Sequence, residues 1–404
     1  MLLRAFAKHV VLALVTCIAL PLVGLEILFA GPELGTDIPQ GASINVAGAI
    51  SGPCGAYGHH DVFSPEFGRG ALDEALQILG YRRAPSPRKA ALVLMTSGQQ
   101  VEWGAFNAQC QRVNVLPGHM PLTDKAQLAL TMRHQQLGTT VAIPQTFVLS
   151  TPTDCQKMQR IPSSRGLWVV KQSSQKDDHE MYVDTLGNIQ ARYDCDGEAA
   201  SNEDSVIVVQ TYIMQPLLLD GRKSEIRVYL MIANTEPWVV LYHTGYWRLN
   251  RKTYKVGDFS NRDIHISKTA ESTEQTSWNN TRVNAYLNNE GRPKDWVHNT
   301  LEPSIEQCLT VLFHAFRPRL QAKAGSFVLL GADFMVDEEL RMFLIDVQFA
   351  PGLGNAGVRQ SLMVPMLKEM LEIQSEIRER LHRGQSLTTL HTRKQWKTLF
   401  TEVL

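Results

Sequence analysis

The chain has 404 residues, 44% of them hydrophobic, with Lys plus Arg and Asp plus Glu balanced at 40 each for a formal net charge of zero. That length can bury a large core in two or three lobes. The neutral balance gives no global attraction for a polyanion, so no nucleic-acid partner is expected, and an acidic partner needs a local basic patch. Six cysteines (Cys17, Cys54, Cys110, Cys155, Cys195 and Cys308) show no CxxC spacing and no Cys/His cluster, which disfavours zinc and redox motifs. Cys17 falls in the apolar N-terminal segment and leaves five others, so a full disulfide framework is not expected.

Arg4 and Lys8 precede an apolar run over 10–25, and no acidic residue occurs before Glu26. Residues 1–30 read as a signal anchor in preference to a cleaved signal peptide or a buried helix, because Leu28 spoils the small-residue spacing before Ala30. A membrane-anchored chain follows as an expectation. Positive charge before the run, with Glu33 and Asp37 after it, favours a cytoplasmic N-terminus and a lumenal body.

Residues 31–41, rich in Gly and Pro, form a linker to an N-terminal α/β lobe over 42–150. In it Leu72, Ala75, Leu76 and Leu79 have helical spacing, with Gly80 placed to end the helix. Residues 91–96 read as a buried strand, and a helix starts near Thr123 and Asp124. The pair His59-His60 reads as part of a loop. A strand at 144–149 closes that lobe, and a central lobe over 151–252 follows, with strands at 167–171, 206–212, 226–233 and 238–242. Leu186-Gly187 reads as the turn of a hairpin between 181–183 and 188–193. A C-terminal lobe over 253–385 opens with a polar insertion. It continues with an amphipathic helix at 305–322, a hairpin, and a last helix at 362–381. Residues 386–404 are a basic tail containing Arg393, Lys394 and Lys397.

The hairpin carries the strongest chemical signal. Two β-branched, apolar runs at 327–336 and 342–348 flank Asp337, Glu338 and Glu339. Asp346 and Gln348, two apart, point to one face of the second strand, and Asp333 lies near the end of the first. Two carboxylates and an amide oxygen suit Mg²⁺, which takes oxygen ligands; the alternative is a hairpin whose acids face water. Upstream, Lys223, Glu225 and Arg227 alternate along one strand face. Alone, such a trio is a solvated sheet face; opposite a Mg²⁺-binding hairpin it forms the cations and acid of a triphosphate site.

The stretch from Gln210 to Tyr229, containing Pro216-Leu-Leu-Leu-Asp220-Gly221-Arg-Lys223, resembles a block of the tubulin–tyrosine ligase-like family. The hairpin from Gly331 to Pro351 resembles another. Gln111-Arg-Val-Asn114, Ile143-Pro-Gln-Thr-Phe147 and Trp168-Val-Val-Lys171 are similar to three more, in the family's order, and the likeness covers roughly 42–385. The resemblance implies an α+β, ATP-grasp-like fold, with antiparallel sheets in two lobes clamping a nucleotide, beside the N-terminal α/β lobe. It implies ATP and Mg²⁺ as cofactors, and ligation through an acyl phosphate that an amino group opens.

Carried over by the resemblance, Lys125, Lys171, Lys223, Gln210, Tyr212, Ile213, Glu225, His265 and Ser267 hold the nucleotide. Arg227 and Arg248, with Lys223, serve the transferring phosphoryl group, and Asp333, Asp346 and Gln348 hold Mg²⁺. The sequence departs from the family at Asp346 and Gln348, where Glu and Asn are usual, at Lys268 in place of Asn, and at Glu225 in place of Asp. The phosphate lid at 172–180 lacks glycines and carries Asp177, Asp178 and Glu180. The implied activity is polyglutamylation or tyrosination of an acidic protein tail such as that of tubulin, with a free amino acid as co-substrate. The alternatives are a pseudo-ligase acting as a binding module, or a ligase with a lumenal acceptor. Arg378, Arg380, His382 and Arg383 join the tail residues either as a patch for an acidic partner or as a solvated face. Asn279-Asn280-Thr281 is a glycosylation sequon.

Overall fold

The computed structural model describes residues 54, 57–64, 70–95, 101–137, 140–164, 166–174, 181–193, 195, 205–257, 259, 261–265, 273, 275–349, 351, 353 and 358–403. The expected anchor, the acidic part of the lid at 175–180, Ser267 and Lys268 lie outside them. No helix among the described residues is long and apolar enough to cross a membrane.

The described chain is a mixed α/β arrangement of three sheets. The first is parallel and runs in the order Arg82–Arg83, Gly58–Phe63, Ala90–Val93, Arg112–Val113. His59-His60 therefore open a strand instead of lying in a loop. The helix Gly70–Ile78 buries Ala71, Ala75 and Leu76, as its apolar spacing requires. It ends in a double backbone cap, Tyr81 N–H to Leu76 O and Gly80 N–H to Gln77 O, with Gly80 at φ +71°.

The second sheet is antiparallel: Thr146–Val148, Ser205–Thr211, Leu167–Ser174, Met181–Thr185. Phe147, Trp168, Val170 and Val209 pack on Cys155, Met158, Leu186 and Ile189 from the helices Pro152–Gln159 and Leu186–Arg192. The expected hairpin at Leu186-Gly187 is thus a helix. The Thr185 hydroxyl accepts from the Asn188 N–H, and this N-cap outweighs the turn preference of the Leu-Gly pair. Cys155 and Cys195 form a disulfide that ties the end of this layer to the helix. A second disulfide joins Cys54 to Cys110. Four of the five cysteines outside the N-terminal run are therefore paired, and, as their odd number requires, one is left over. The odd one is Cys308, buried, its thiol pushed up to about 12 by burial.

The third sheet has eight strands. Its main order is Ser277–Trp278, Trp238–Leu249, Arg222–Thr235, Val328–Val336, Met342–Phe349, Val141–Ala142. Leu218–Leu219 pairs with Arg222–Thr235, and Lys397–Thr401 with Trp238–Leu249. Ile226, Val228, Leu230 and Ile232 face a core shared with Leu309, Leu312 and Phe313 of the helix Glu302–Phe316. The alternate residues Tyr229, Met231 and Ala233 face Met366, Met370 and Ile373 of Val364–His382. A strand covered on both faces by helices reads as a continuous apolar run, and this one does until Arg227. There the second face becomes charged, at Arg227, Glu225 and Lys223.

Several boundaries drawn from sequence move. Val141–Ala142 and Thr146–Val148 leave the N-terminal lobe for the third and second sheets, and the strands 222–249 belong with the hairpin, not with the central lobe. Residues 386–403 are packed on the body and form no free tail: Trp396 is fully buried, Lys397 reaches Glu302 and Glu306, and, in the helix before them, Arg380 pairs with Glu376. Of the two readings of this basic stretch, a patch for an acidic partner or a solvated face, the patch is in part neutralised by these acids.

Candidate active site

Between the second and third sheets lies a cleft whose walls come from both. The second sheet contributes Val169 and Lys171, Met181 and Val183, and Gln210 and Thr211. The third contributes Lys223 and Glu225, Asp333 and Met335, and Ile345 and Asp346. Tyr212, Ile213 and His265 close the side. Seven of the positions singled out from sequence for the nucleotide or phosphate line this cleft: Lys171, Gln210, Tyr212, Ile213, Lys223, Glu225 and His265. Lys125 lines an adjoining pocket together with Lys171, Gln210 and Asp346.

Register explains the charged floor. Arg227 stands opposite Asp333, Asp333 opposite Asp346, Gly331 opposite Gln348, and Glu225 opposite Arg248. Directly opposed residues lie close enough to interact on one face. Arg227 donates twice to Asp333, Nε to Oδ1 at 2.5 Å and Nη2 to Oδ2 at 2.9 Å, a bidentate fork between side chains 3% and 2% exposed. Arg248 bridges Asp333 Oδ1 and Glu225 Oε2, both at 3.0 Å. Burial is the largest single influence and works against both guanidinium charges, but Asp333 together with the other acidic groups nearby, Glu225 among them at Arg248, holds both pKa values above the usual arginine range.

Lys223 is 3% exposed. Its Nζ donates to the Tyr212 hydroxyl at 3.3 Å and to the His265 carbonyl at 2.9 Å, and sits 4.4 Å over the Tyr212 ring. Burial lowers its pKa to about 8; Glu225 opposes that shift and the nearby Lys171 charge adds to it. Tyr212 also pairs with His265 Nδ1 at 2.8 Å, and burial raises its phenol pKa. Gln210 anchors to the Thr146 hydroxyl at 3.0 Å.

The hairpin pairing shifts by one residue between Asp333 and Phe334, leaving Ile345 as an extra residue in its strand. Such a bulge re-aims the local backbone. The Ile345 carbonyl accepts from Lys171 Nζ at 3.0 Å, reaching across from the facing sheet.

Asp333, Asp346 and Gln348, the residues expected to hold a metal, lie within hydrogen-bond reach of one another, with the Gln348 amide nitrogen turned to the two carboxylates. Gln348 Nε2 donates to Asp346 Oδ2 at 3.0 Å and to Asp333 Oδ2 at 3.3 Å; Gln348 Oε1 accepts from Arg227 at 3.2 Å. Asp346 Oδ1 accepts from the Val347 N–H. Carboxylate and amide oxygens are the donors Mg²⁺ selects, so the set fits the ion by type, with Asp333 sharing its charge with two arginines. Among the described residues no group of three or more His, Cys, Asp or Glu is placed to hold a metal; the third oxygen here is an amide.

Sequence reasoning missed the apolar walls, Val169, Met181, Val183, Met335 and Ile345. Their only signal was position: each sits near a polar site residue in a strand, and they read as ordinary core.

The sequence profile described as the tubulin-tyrosine ligase family matches residues 105–381. The chain is 33% identical over 206 residues to protein polyglycylase TTLL10 of Macaca fascicularis, covering 48% of this chain and 33% of that protein. It is 31% identical over 206 residues to a Homo sapiens protein named inactive polyglycylase TTLL10, covering 48% of this chain and 31% of that one. It is 24% identical over 232 residues to tubulin monoglycylase TTLL3 of Homo sapiens, covering 52% and 30%. The chain thus spans about a third of the length of these curated relatives. The profile covers more than half of the chain, and its span holds both faces of the cleft and the charged hairpin. The chain belongs to the tubulin-tyrosine ligase family.

Proposed function

We propose that the chain is an ATP-dependent carboxylate–amine ligase that joins glycine to a glutamate side chain in an acidic protein tail of the tubulin kind. The observation that carries this reading is the convergence of Lys171 and Lys223 from two facing sheets on a cleft that ends at Asp333 and Asp346. ATP supplies the phosphoryl group that activates a carboxylate, and Mg²⁺ offsets its charge. In this reading Val169, Met181, Val183, Met335 and Ile345 form apolar walls for the base, and Gln210, Tyr212 and Ile213 supply its polar edge. Lys125, Lys171 and Lys223 meet the phosphates. Asp333, Asp346 and Gln348 would hold Mg²⁺, while Arg227 and Arg248 orient Asp333 and add positive charge where phosphoryl transfer builds negative charge.

Glycine replaces the glutamate or tyrosine expected from sequence, because the relatives with printed activities are named glycylases.

The test is incorporation of labelled glycine into a glutamate-rich acceptor peptide by the full chain with ATP and Mg²⁺, beside Asp346→Asn. ATP-dependent label on glutamate side chains, reduced 10–100-fold by loss of one carboxylate at the metal donors, supports the reading. Binding of ATP without transfer to any acidic acceptor would refute it.

A second reading has its own support. Both oxygens of Asp333 are engaged by arginines, and the human relative is named inactive. A pseudo-ligase using the cleft as a binding module predicts weak or no calorimetric response to Mg·ATP and no transfer to any acceptor, and ATP-dependent transfer rules it out.

A further inference from the structure

The sequence contains one N-x-Ser/Thr sequon with no Pro at the middle position, Asn279-Asn280-Thr281. It lies far along the chain from the charged hairpin, between the edge strand Ser277–Trp278 and the helix Asn280–Asn289. Asn279 is exposed, and so is Thr281. Asn279 is the N-cap: its Oδ1 accepts from the Arg282 N–H at 2.8 Å. That division of labour matters chemically. An N-linked sugar attaches to Nδ2, and the amide oxygen keeps its capping bond, so a glycan and the folded helix are compatible at this residue.

The cysteines supply a second, independent observation. Cys54–Cys110 and Cys155–Cys195 are disulfides, closed across 56 and 40 residues in two different sheet layers, and the leftover thiol, Cys308, is buried. Paired cysteines persist in oxidising compartments and are rare where glutathione keeps thiols reduced. The same compartment holds the machinery that reads sequons. The apolar run over 10–25, with Arg4 and Lys8 before it, is of the kind that delivers a chain there.

We propose that Asn279 is an N-glycosylation site and that the body of this chain matures in an oxidising lumen. Nδ2 of Asn279 bonds to C1 of the sugar of a polyprenyl-pyrophosphate-linked oligosaccharide. The C1–O bond to the pyrophosphate breaks, the lipid pyrophosphate leaves, and one amide proton is lost. Each disulfide forms with loss of two protons and two electrons to a thiol–disulfide exchange oxidant. If the ligase reading above holds, the acidic acceptor must reside in, or pass through, that same compartment.

The experiment expresses the full chain in a eukaryotic cell and compares it with Asn279→Asp, which keeps a capping oxygen, and Thr281→Ala, which leaves the cap untouched. Expected is one discrete mobility step, removed by peptide-N-glycosidase and absent from both variants. Mass spectrometry should find Asn279 converted to Asp by the glycosidase, and four cysteines protected from alkylation until reduction. A wild-type chain with no glycosidase shift overturns the site even if its disulfides are closed. Cys54, Cys110, Cys155 and Cys195 all reactive in the non-reduced chain overturns the compartment. Neither readout depends on ATP or on ligase activity.

Discussion

Asp333→Ala should destabilise the fold before it says anything about catalysis. The carboxylate carries the Arg227 fork and one bond from Arg248, with Arg227 3% and Asp333 2% exposed. Removing it leaves a buried guanidinium whose remaining side-chain acceptor is Gln348 Oε1 at 3.2 Å. Breaking a buried pair by deleting one partner costs about 3–5 kcal/mol, a large share of the roughly 5–15 kcal/mol typical of a folded domain. The pair itself is worth far less than that loss, since most of the loss is the cost of stranding the survivor. Arg227→Met combined with Asp333→Leu should therefore recover much of the stability, giving a coupling on the order of 2 kcal/mol. Urea unfolding followed by tryptophan fluorescence, with a slope of about 3 kcal/mol per molar, should show a midpoint about 1 M or more lower for Asp333→Ala. The double variant should lie between that midpoint and the wild type. A shift below about 0.3 M for the single variant, or a double variant as unstable as the sum of the singles, would refute this account of the cluster.

Three further outcomes are expected. Lys223 has a folded pKa lowered to about 8 by burial, so the unfolded chain binds more protons between about pH 8 and the usual lysine value. Stability of the ligand-free protein should rise with pH across that window, whereas Mg·ATP affinity should fall there by up to tenfold per pH unit; Lys223→Met should flatten both profiles in calorimetric and unfolding titrations. Gly245→Ala places a Cβ 1.8 Å from the Arg227 carbonyl oxygen at φ +62°. Left-handed strain and overpacking together should cost about 2–5 kcal/mol, seen as a lower urea midpoint and weaker nucleotide binding through a displaced Arg227. Cys155→Ser with Cys195→Ser opens a loop of 40 residues, which the chain-entropy account values at about 4 kcal/mol; protease sensitivity of the 152–195 region that does not increase would contradict it.

The charged face was legible because its residues are local. Lys223, Glu225 and Arg227 alternate on one strand, and Asp346 and Gln348 on another, so period two alone put them on common faces. Register across strands was not legible: that Arg227 stands opposite Asp333 depends on the pairing of two strands whose facing residues are 106 positions apart. The same limit hid the disulfides, whose partners are 40 and 56 residues apart, and the pairing of Lys397–Thr401 with Trp238–Leu249, where a short polar stretch gains strand structure only from its neighbour. The Leu186–Arg192 helix was misread for the opposite reason. Its deciding feature, a threonine cap, is local, but a Leu-Gly pair between two β-rich runs carried more weight. The apolar walls of the cleft were invisible as function, since a side chain that stacks on a base and one that fills a core obey the same hydrophobic preference.

The carbonyl of Ile345, at the bulge, holds the Lys171 ammonium in place at the cleft. A lysine side chain loses about 1.5–2 kcal/mol of rotamer freedom when fixed, and here that loss is settled during folding. On the proposed nucleotide-binding reading, a phosphate would take over an ammonium group already aimed into the cleft, exchanging one oxygen acceptor for a more negative one.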